Sequence, residues 1–305
     1  MIKVFGHKFP DSDSTGSPLI WAWFSTEVRK APATAHLLGR PNKEALFMLD
    51  RWGYGMPEII DDVKDGDEVI IVDTNNPAEL PAGIGRARII EIIDHHLLQG
   101  GLATKEPISI FMRPVACTAT IMHELMGSAA ARMPRPIRGL MLTCILSDTM
   151  AFRSPTTTKT DQNLAEELAR DLGINIGSYA AEMFAAKSDL SDCSDDEVLR
   201  IDSKNYEING RKLKISVLET TNPSAIIERK QDLIRAMDRV ADEDGIDQVL
   251  FFVVDILNES ATLLVPNKFV RTLAKKSFSA AVSGDELQLP GVVSRKKQII
   301  PNLSF

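Results

Sequence analysis

Cysteine is scarce in this chain. Cys117, Cys144 and Cys193 are scattered and odd in number, which excludes a disulfide framework and any paired zinc-ligand spacing and points to a reducing cytoplasm. All three read as buried or incidental thiols. Positive charge is not in excess either: 35 Lys and Arg stand against 42 Asp and Glu, a net charge of −7. Phosphate backbones select basic surfaces, so a nucleic acid is not the expected partner. No apolar run approaches about 18 residues, the length a membrane-spanning helix needs. The opening residues 1–6 read as a short strand and lack the longer apolar core of a secretory leader. Internal repeats and low-complexity tracts are absent.

What is present is ordinary globular material, 305 residues with 44% hydrophobic and 25% charged. That length suits two domains better than one. The first half alternates short apolar runs with longer amphipathic ones, the pattern of β-α-β units. Strands are expected over 2–5, 45–49, 69–72, 88–93 and 108–113, and helices over 18–28, 118–131, 137–146, 160–172 and 178–186. The runs Val69-Ile70-Ile71-Val72 and Ile108-Ser109-Ile110-Phe111 are apolar or nearly so on both faces, as in parallel strands covered by helices on each side. Around 188–196 the chain turns acidic and serine-rich and reads as a linker. Beyond it, Asn209-Gly210 between strands 206–208 and 212–217 signals a hairpin. A long helix over 225–242, strands 249–257 and 262–266 and a helix over 269–277 complete a smaller α/β unit.

The candidate chemistry gathers at strand ends, where open α/β sheets place their ligands. Five histidines are few enough to weigh singly. His7 is followed by Asp11 and Asp13 on a proline-punctuated loop, and alternation along an extended backbone sends both carboxylates to one side; a divalent-metal site and a solvated helix cap both suit the pattern. Asp94-His95-His96 closes the strand over 88–93. Adjacent histidines on an extended segment point to opposite faces, which suggests one imidazole for a metal and one for a substrate, with Asp94 orienting a ring. Asp73 ends the most apolar strand and Asp148 an apolar helix, positions where a carboxylate is costly unless paired, capped or metal-bound. Each also suits a turn or a cap. His36 and His123 have no carboxylate-rich neighbourhood and read as structural. Three consecutive cations, Arg295, Lys296 and Lys297, lie in Ser294-Arg295-Lys296-Lys297-Gln298 between apolar pairs; they suit an anion or a solvated basic turn.

Taken in order, these pieces form a pattern. With Gly6-His7, Pro10-Asp11-Ser12-Asp13-Ser14, the strand-end Asp73, Asp94-His95-His96, Asp148 and Ser294-Arg295-Lys296-Lys297-Gln298, the chain resembles the family II inorganic pyrophosphatases of the DHH phosphoesterase superfamily along essentially its whole length. The resemblance implies an N-terminal parallel-sheet DHH domain over 1–187, a hinge over 188–195 and a smaller substrate-binding DHHA2-like domain over 196–305, with the active site in a cleft between them. It implies that His7, Asp11 and Asp73 hold one manganese ion, and Asp13, Asp73, His95 and Asp148 a second, Asp73 bridging the pair. His96, Lys204, Arg295 and Lys296 then bind the diphosphate. Cobalt or magnesium are the expected substitutes, and a further magnesium or manganese ion accompanies the substrate. A homodimer joined through the first domain is also implied. One departure stands out: the chain reads Asp73-Thr74-Asn75-Asn76, where many members have Asp-His-Asn-Glu.

Diphosphate hydrolysis suits these residue types. Two divalent ions about 3.5–4 Å apart share and acidify one water and shield the substrate's charge. Mixed imidazole and carboxylate ligands favour manganese or cobalt over magnesium. Two rivals compete. Another DHH phosphoesterase acting on polyphosphate, oligonucleotides or cyclic dinucleotides calls for a glycine-rich, histidine-containing motif in the second domain, which this chain lacks; a non-catalytic sensor calls for a degraded ligand set, which it does not have.

Overall fold

The computed structural model describes residues 1–278 and 282–304 and divides into two compact units, Met1–Lys187 and Ser188–Phe305. In the first, β1 (Ile2–Phe5), α1 (Ser12–Trp23), β2 (Ala33–Leu37), α2 (Lys43–Arg51), β3 (Glu58–Ile59), β4 (Glu68–Val72), β5 (Arg88–Asp94) and β6 (Ser109–Met112) precede four helices. These are α3 (Thr118–Met126), α4 (Arg135–Asp148), α5 (Lys159–Leu172) and α6 (Ile176–Lys187). The six strands form one parallel sheet in the order β3-β2-β1-β4-β5-β6. Strand order reverses between β1 and β4, the crevice where doubly wound sheets hold their ligands. β4 is buried on both faces from Val69 to Val72, as its unbroken apolar run requires. Leu80 and Ile84 close over the face that carries Phe5, Val69 and Ile71. On β5, buried Glu91 accepts from Trp21 Nε1 at 2.8 Å and from Arg29 Nη1 at 2.9 Å, which pins α1 and the π-helical turn after it (Phe24–Val28) to the sheet.

Three expectations need correction. Residues 45–49 are not a strand but the middle of α2. Asn42 caps that helix by accepting from Ala45 N–H at 2.8 Å, and Ala45, Met48 and Leu49 bury one helical stripe. The second strand is instead β2, whose polar Thr34 and His36 hide the alternation. The first helix starts six residues early, at Ser12 and not at Pro18, because Asp11 caps it.

The second unit holds α7 (Asp195–Arg200), β7 (Ser203–Ile208), β8 (Arg211–Thr220), α8 (Pro223–Glu228), α9 (Lys230–Glu243), β9 (Gln248–Asp255), β10 (Ser260–Leu264), α10 (Lys268–Phe278) and β11 (Glu286–Pro290). Its sheet runs β11-β10-β9-β8-β7, with only β8 and β9 parallel. Asn209 and Gly210 both take positive φ (50° and 70°) in the tight turn between β7 and β8, as a two-residue hairpin demands. The expected helix over 225–242 breaks at Arg229. Its guanidinium turns back to the carbonyls of Leu190 (2.9 Å) and Cys193 (2.8 Å) and to Asp195 (2.7 Å). Ser188 Oγ bonds Thr221 at 2.7 Å, so the acidic segment after Lys187 is fastened to the second unit.

Candidate metal centre

The carboxyl ends of β1, β4 and β5 deliver His7, Asp73 and the Asp94-His95-His96 segment to the switch point of the sheet. Asp73 is buried, 1% exposed, and takes a left-handed backbone, φ 59°, a conformation that costs a non-glycine residue about 1 kcal/mol or more and clusters at functional sites. Its two oxygens face different imidazoles. Oδ2 lies 3.5 Å from His7 Nε2, whereas Oδ1 lies 3.3 Å from His95 Nε2 and 3.8 Å from His96 Nδ1.

Backbone carbonyls set the histidine tautomers. His7 Nδ1 donates to Lys8 O at 2.6 Å and His95 Nδ1 to Val115 O at 3.3 Å, which turns both Nε2 atoms, free to ligate, toward Asp73. His96 Nδ1 donates to Asp94 Oδ1 at 2.9 Å. The expectation that His95 and His96 point to opposite faces fails. β5 ends at Asp94, strand alternation stops there, and the two rings lie against each other, tilted by 51° with centroids 4.2 Å apart.

Asp11 and Asp13 also leave a helix start and not an extended segment, so they serve two sides of the site. Asp11 Oδ1 accepts from Ser14 N–H at 2.9 Å, capping α1, while Oδ2 sits 3.7 Å from His7 Nε2. Cap and candidate ligand coexist in one carboxylate. Asp13, in the first turn of α1, accepts from Ser17 Oγ at 2.6 Å and Thr118 N–H at 2.7 Å. It groups with Asp148, from the end of α4, and with Cys117. Gly6 makes the loop possible: a Cβ there would come within 2.0 Å of Ser14 Oγ, the atom that accepts from His7 N–H at 2.7 Å.

Electrostatics mark the site as one built for cations. Burial, then the nearby carboxylates of Asp13, Asp11, Asp148 and Asp94, push Asp73 well above the usual carboxylate range. Burial and the charges of Asp13 and Asp11 do the same to Asp148. For His7, burial favours the neutral ring, but the hydrogen bond and charge of Asp11, with the Lys8 carbonyl, carry its pKa up to about 9. Asp11 itself is lowered despite burial, because His7 and the Ser14 N–H stabilise its anion. His95 is lowered by burial, and His96 is raised by its bond to Asp94. Asp148 Oδ2, shielded from solvent, has no hydrogen-bond partner. Four carboxylates crowded together, two imidazole Nε2 atoms turned toward them and one orphaned oxygen fit divalent metal ions. A cavity of about 400 Å³ opens over Asp11, Asp73, His95, His96 and Asp148.

Among the sequence-predicted residues, His7, Asp11, Asp13, Asp73, His95, His96 and Asp148 are thus brought together in the first unit. Lys204, Arg295 and Lys296 lie in the second. Lys204 and Lys296 are exposed. Arg295 Nη2 pairs with Asp202 at 2.7 Å, and Nη1 reaches the carbonyl of Ile215, the residue opposite Lys204 on β8. His36, buried beside Thr34 and Glu58, and His123 join none of the metal-ligating groups among the described residues. Two site residues escape sequence reasoning. Thr118 bonds Asp73 Oδ1 through Oγ1 at 3.1 Å as well as Asp13 through N–H, and Cys117 is not incidental but adjoins Asp13 and Asp148. The only signal was the helix start they form. In the departing segment, Thr74 Oγ1 donates to Glu79 at 2.7 Å and Asn75 Nδ2 to Asp94 at 2.5 Å, so Asn75 steadies the carboxylate that orients His96.

Comparison with known proteins identifies the family. Residues 1–147 match the DHH family N-terminal domain and residues 181–304 the DHHA2 domain. The chain is 37% identical to a Deinococcus radiodurans protein named "Probable manganese-dependent inorganic pyrophosphatase" (99% of this chain, 98% of that one). It is 36% identical to the "Manganese-dependent inorganic pyrophosphatase" of Methanocaldococcus jannaschii, again over 99% of this chain and 98% of that one. The "Crystal structure of Methanococcus jannaschii putative family II inorganic pyrophosphatase" superposes with a TM-score of 0.63 at 34% identity, covering 99% of this chain and 98% of that one. With the DHH and DHHA2 domains in series and such identity over its whole length, the chain belongs to the family II, manganese-dependent inorganic pyrophosphatases.

Proposed function

We propose that this protein hydrolyses diphosphate to two orthophosphates with manganese. His7, Asp11 and Asp73 hold one ion, Asp13, Asp73, His95 and Asp148 hold another, and His96, Lys204, Arg295 and Lys296 receive the diphosphate. The observation that carries the reading is the placement of Asp73, whose two carboxylate oxygens face His7 and His95 separately, as a group shared between two ions must. Bound there, divalent ions acidify water at neutral pH and shield the charge of the substrate. The chain's own residues supply the rest. His96, its Nδ1–H held by Asp94, is biased toward its cationic form and favours a phosphate oxygen. Arg295, only 10% exposed and engaged by Asp202 and the carbonyl of Ile215, would have to turn its planar fork from Asp202 to reach a phosphate. Lys204 and Lys296 add point charges against the charge that grows on the leaving phosphate.

Cobalt and magnesium are the proposed substitutes, with a magnesium or manganese ion accompanying the substrate. The buried free thiols of Cys117 and Cys144 favour a cytoplasmic setting. No helix among the described residues is long and apolar enough to cross a membrane, and the net negative charge disfavours nucleic acid. The homodimer is supported by the edge strand β6, where Ile110 is 54% exposed and lines one pocket with Leu98, itself 74% exposed. Phosphate release from diphosphate by metal-stripped protein, repeated with manganese, cobalt, magnesium and zinc, tests the activity. Tripolyphosphate and dinucleotides serve as competing substrates. No release with manganese, or faster release from either competitor, rejects the assignment.

A further inference from the structure

Glu44 is completely buried, yet it belongs to none of the groups described above. It stands in the first turn of α2, where the helix dipole favours an anion. Its Oε1 accepts from two hydroxyls at once, Ser12 Oγ at 2.6 Å and Ser147 Oγ. Its Oε2, shielded from solvent and without a hydrogen bond, lies 3.4 Å from Lys187 Nζ.

The two serines are not arbitrary partners. Ser12 stands between Asp11 and Asp13, and Ser147 immediately precedes Asp148. A single oxygen therefore joins the first residue of α1 to the penultimate residue of α4, where the two helices put Asp13 and Asp148 within 4.8 Å of each other. A buried carboxylate is expensive to keep when a neutral or apolar residue would pack two helices as well. Partners that orient metal ligands from behind are the usual exception.

We propose that Glu44 is a positioning residue: through Ser12 and Ser147 it sets the separation of Asp11 and Asp13 from Asp148, and with it the affinity of the centre for manganese. Lys187, the last residue of the first unit, balances its charge. The inference rests on the ligand assignment proposed above.

The test is manganese binding by calorimetry to the metal-stripped full chain, in wild type, Glu44→Ala, Glu44→Gln and Ser147→Ala, with the Tm of each metal-free form. Glu44→Ala is expected to bind manganese about 10-fold more weakly or worse. Ser147→Ala, which loses only one of the two links, should weaken binding less and leave Tm nearly unchanged. Glu44→Gln keeps the accepting oxygen and should recover most of the affinity. Variants that melt earlier but bind manganese like wild type overturn the positioning role. Should Glu44→Ala fail to fold, Ser147→Ala decides alone, and wild-type affinity there overturns it. A wild-type protein that takes up no manganese overturns instead the ligand assignment beneath it.

Discussion

Asp73 concentrates the physics of the site in one side chain: buried, left-handed in its backbone, raised in pKa, and facing a different imidazole with each oxygen. Because His95 faces only one of those oxygens, His95→Ala should lower manganese content from two ions to one per chain, leaving the His7 side loaded; two ions retained, by metal analysis of the purified variant, removes His95 from the ligand set. Protons compete for the same atoms. In the metal-free protein the pKa of His7 is pushed up to about 9, so at pH 7 its ring carries a proton that an incoming cation must displace, and the raised Asp73 and Asp148 lean toward their protonated forms in the same sense. Affinity should therefore rise with pH, by about tenfold per unit for each proton released, and level off above about 9. Calorimetry at pH 7 in two buffers of different ionisation enthalpy measures that release directly; buffer-independent heats contradict it. The aspartates and histidines were legible because their types are rare and costly at the ends of apolar strands. Thr118 and Cys117 were not, because a hydroxyl and a thiol at a helix start look the same whether they face a metal site or a core.

At the scale of elements, the sequence spoke most clearly where burial is two-sided or a turn needs special backbone. The unbroken apolar run of β4 and the Asn209-Gly210 hairpin both stand where expected. It misled where an apolar run is short. Residues 45–49 have the composition of a strand, and only Asn42, three residues before Ala45, announces the helix. The break between α8 and α9 was invisible because no glycine or proline marks it; Arg229 turns there to reach carbonyls far away in sequence. The β1–α1 loop is the element on which the site depends most directly. Its glycine has no room for a methyl group, since both Ser14 Oγ and Ser14 O lie too near. Gly6→Ala should cost about 1–3 kcal/mol of stability by overpacking, seen as a lower Tm. Because the shift displaces His7, manganese binding should weaken too. A variant that melts like wild type shows that the loop moves freely and does not fix His7.

Considered as a whole molecule, the chain has two compact units, between which the proposed function divides two tasks. If β6 is the dimer edge, Ile110→Lys should place like charges at the contact and give a monomer in sedimentation velocity while circular dichroism stays native; an unchanged dimer moves the interface elsewhere. The division of labour makes a stronger demand. All six proposed ligand side chains lie in Met1–Lys187, whereas Lys204, Arg295 and Lys296 lie in the second unit. Arg295 is held by Asp202 and by the carbonyl of Ile215, contacts internal to the second unit that do nothing for the ions. Arg295→Ala and Lys296→Ala should therefore keep full manganese content and affinity. On the proposed function each removes a cation that would meet the charge developing as the phosphoanhydride bond breaks, and loss of one such group typically lowers turnover by about 100- to 1,000-fold. The paired measurement, metal content beside kcat for diphosphate on the same preparation, discriminates sharply. Lost metal would mean that these residues support the ion site after all, and undiminished turnover would mean that the diphosphate is bound by the first unit alone.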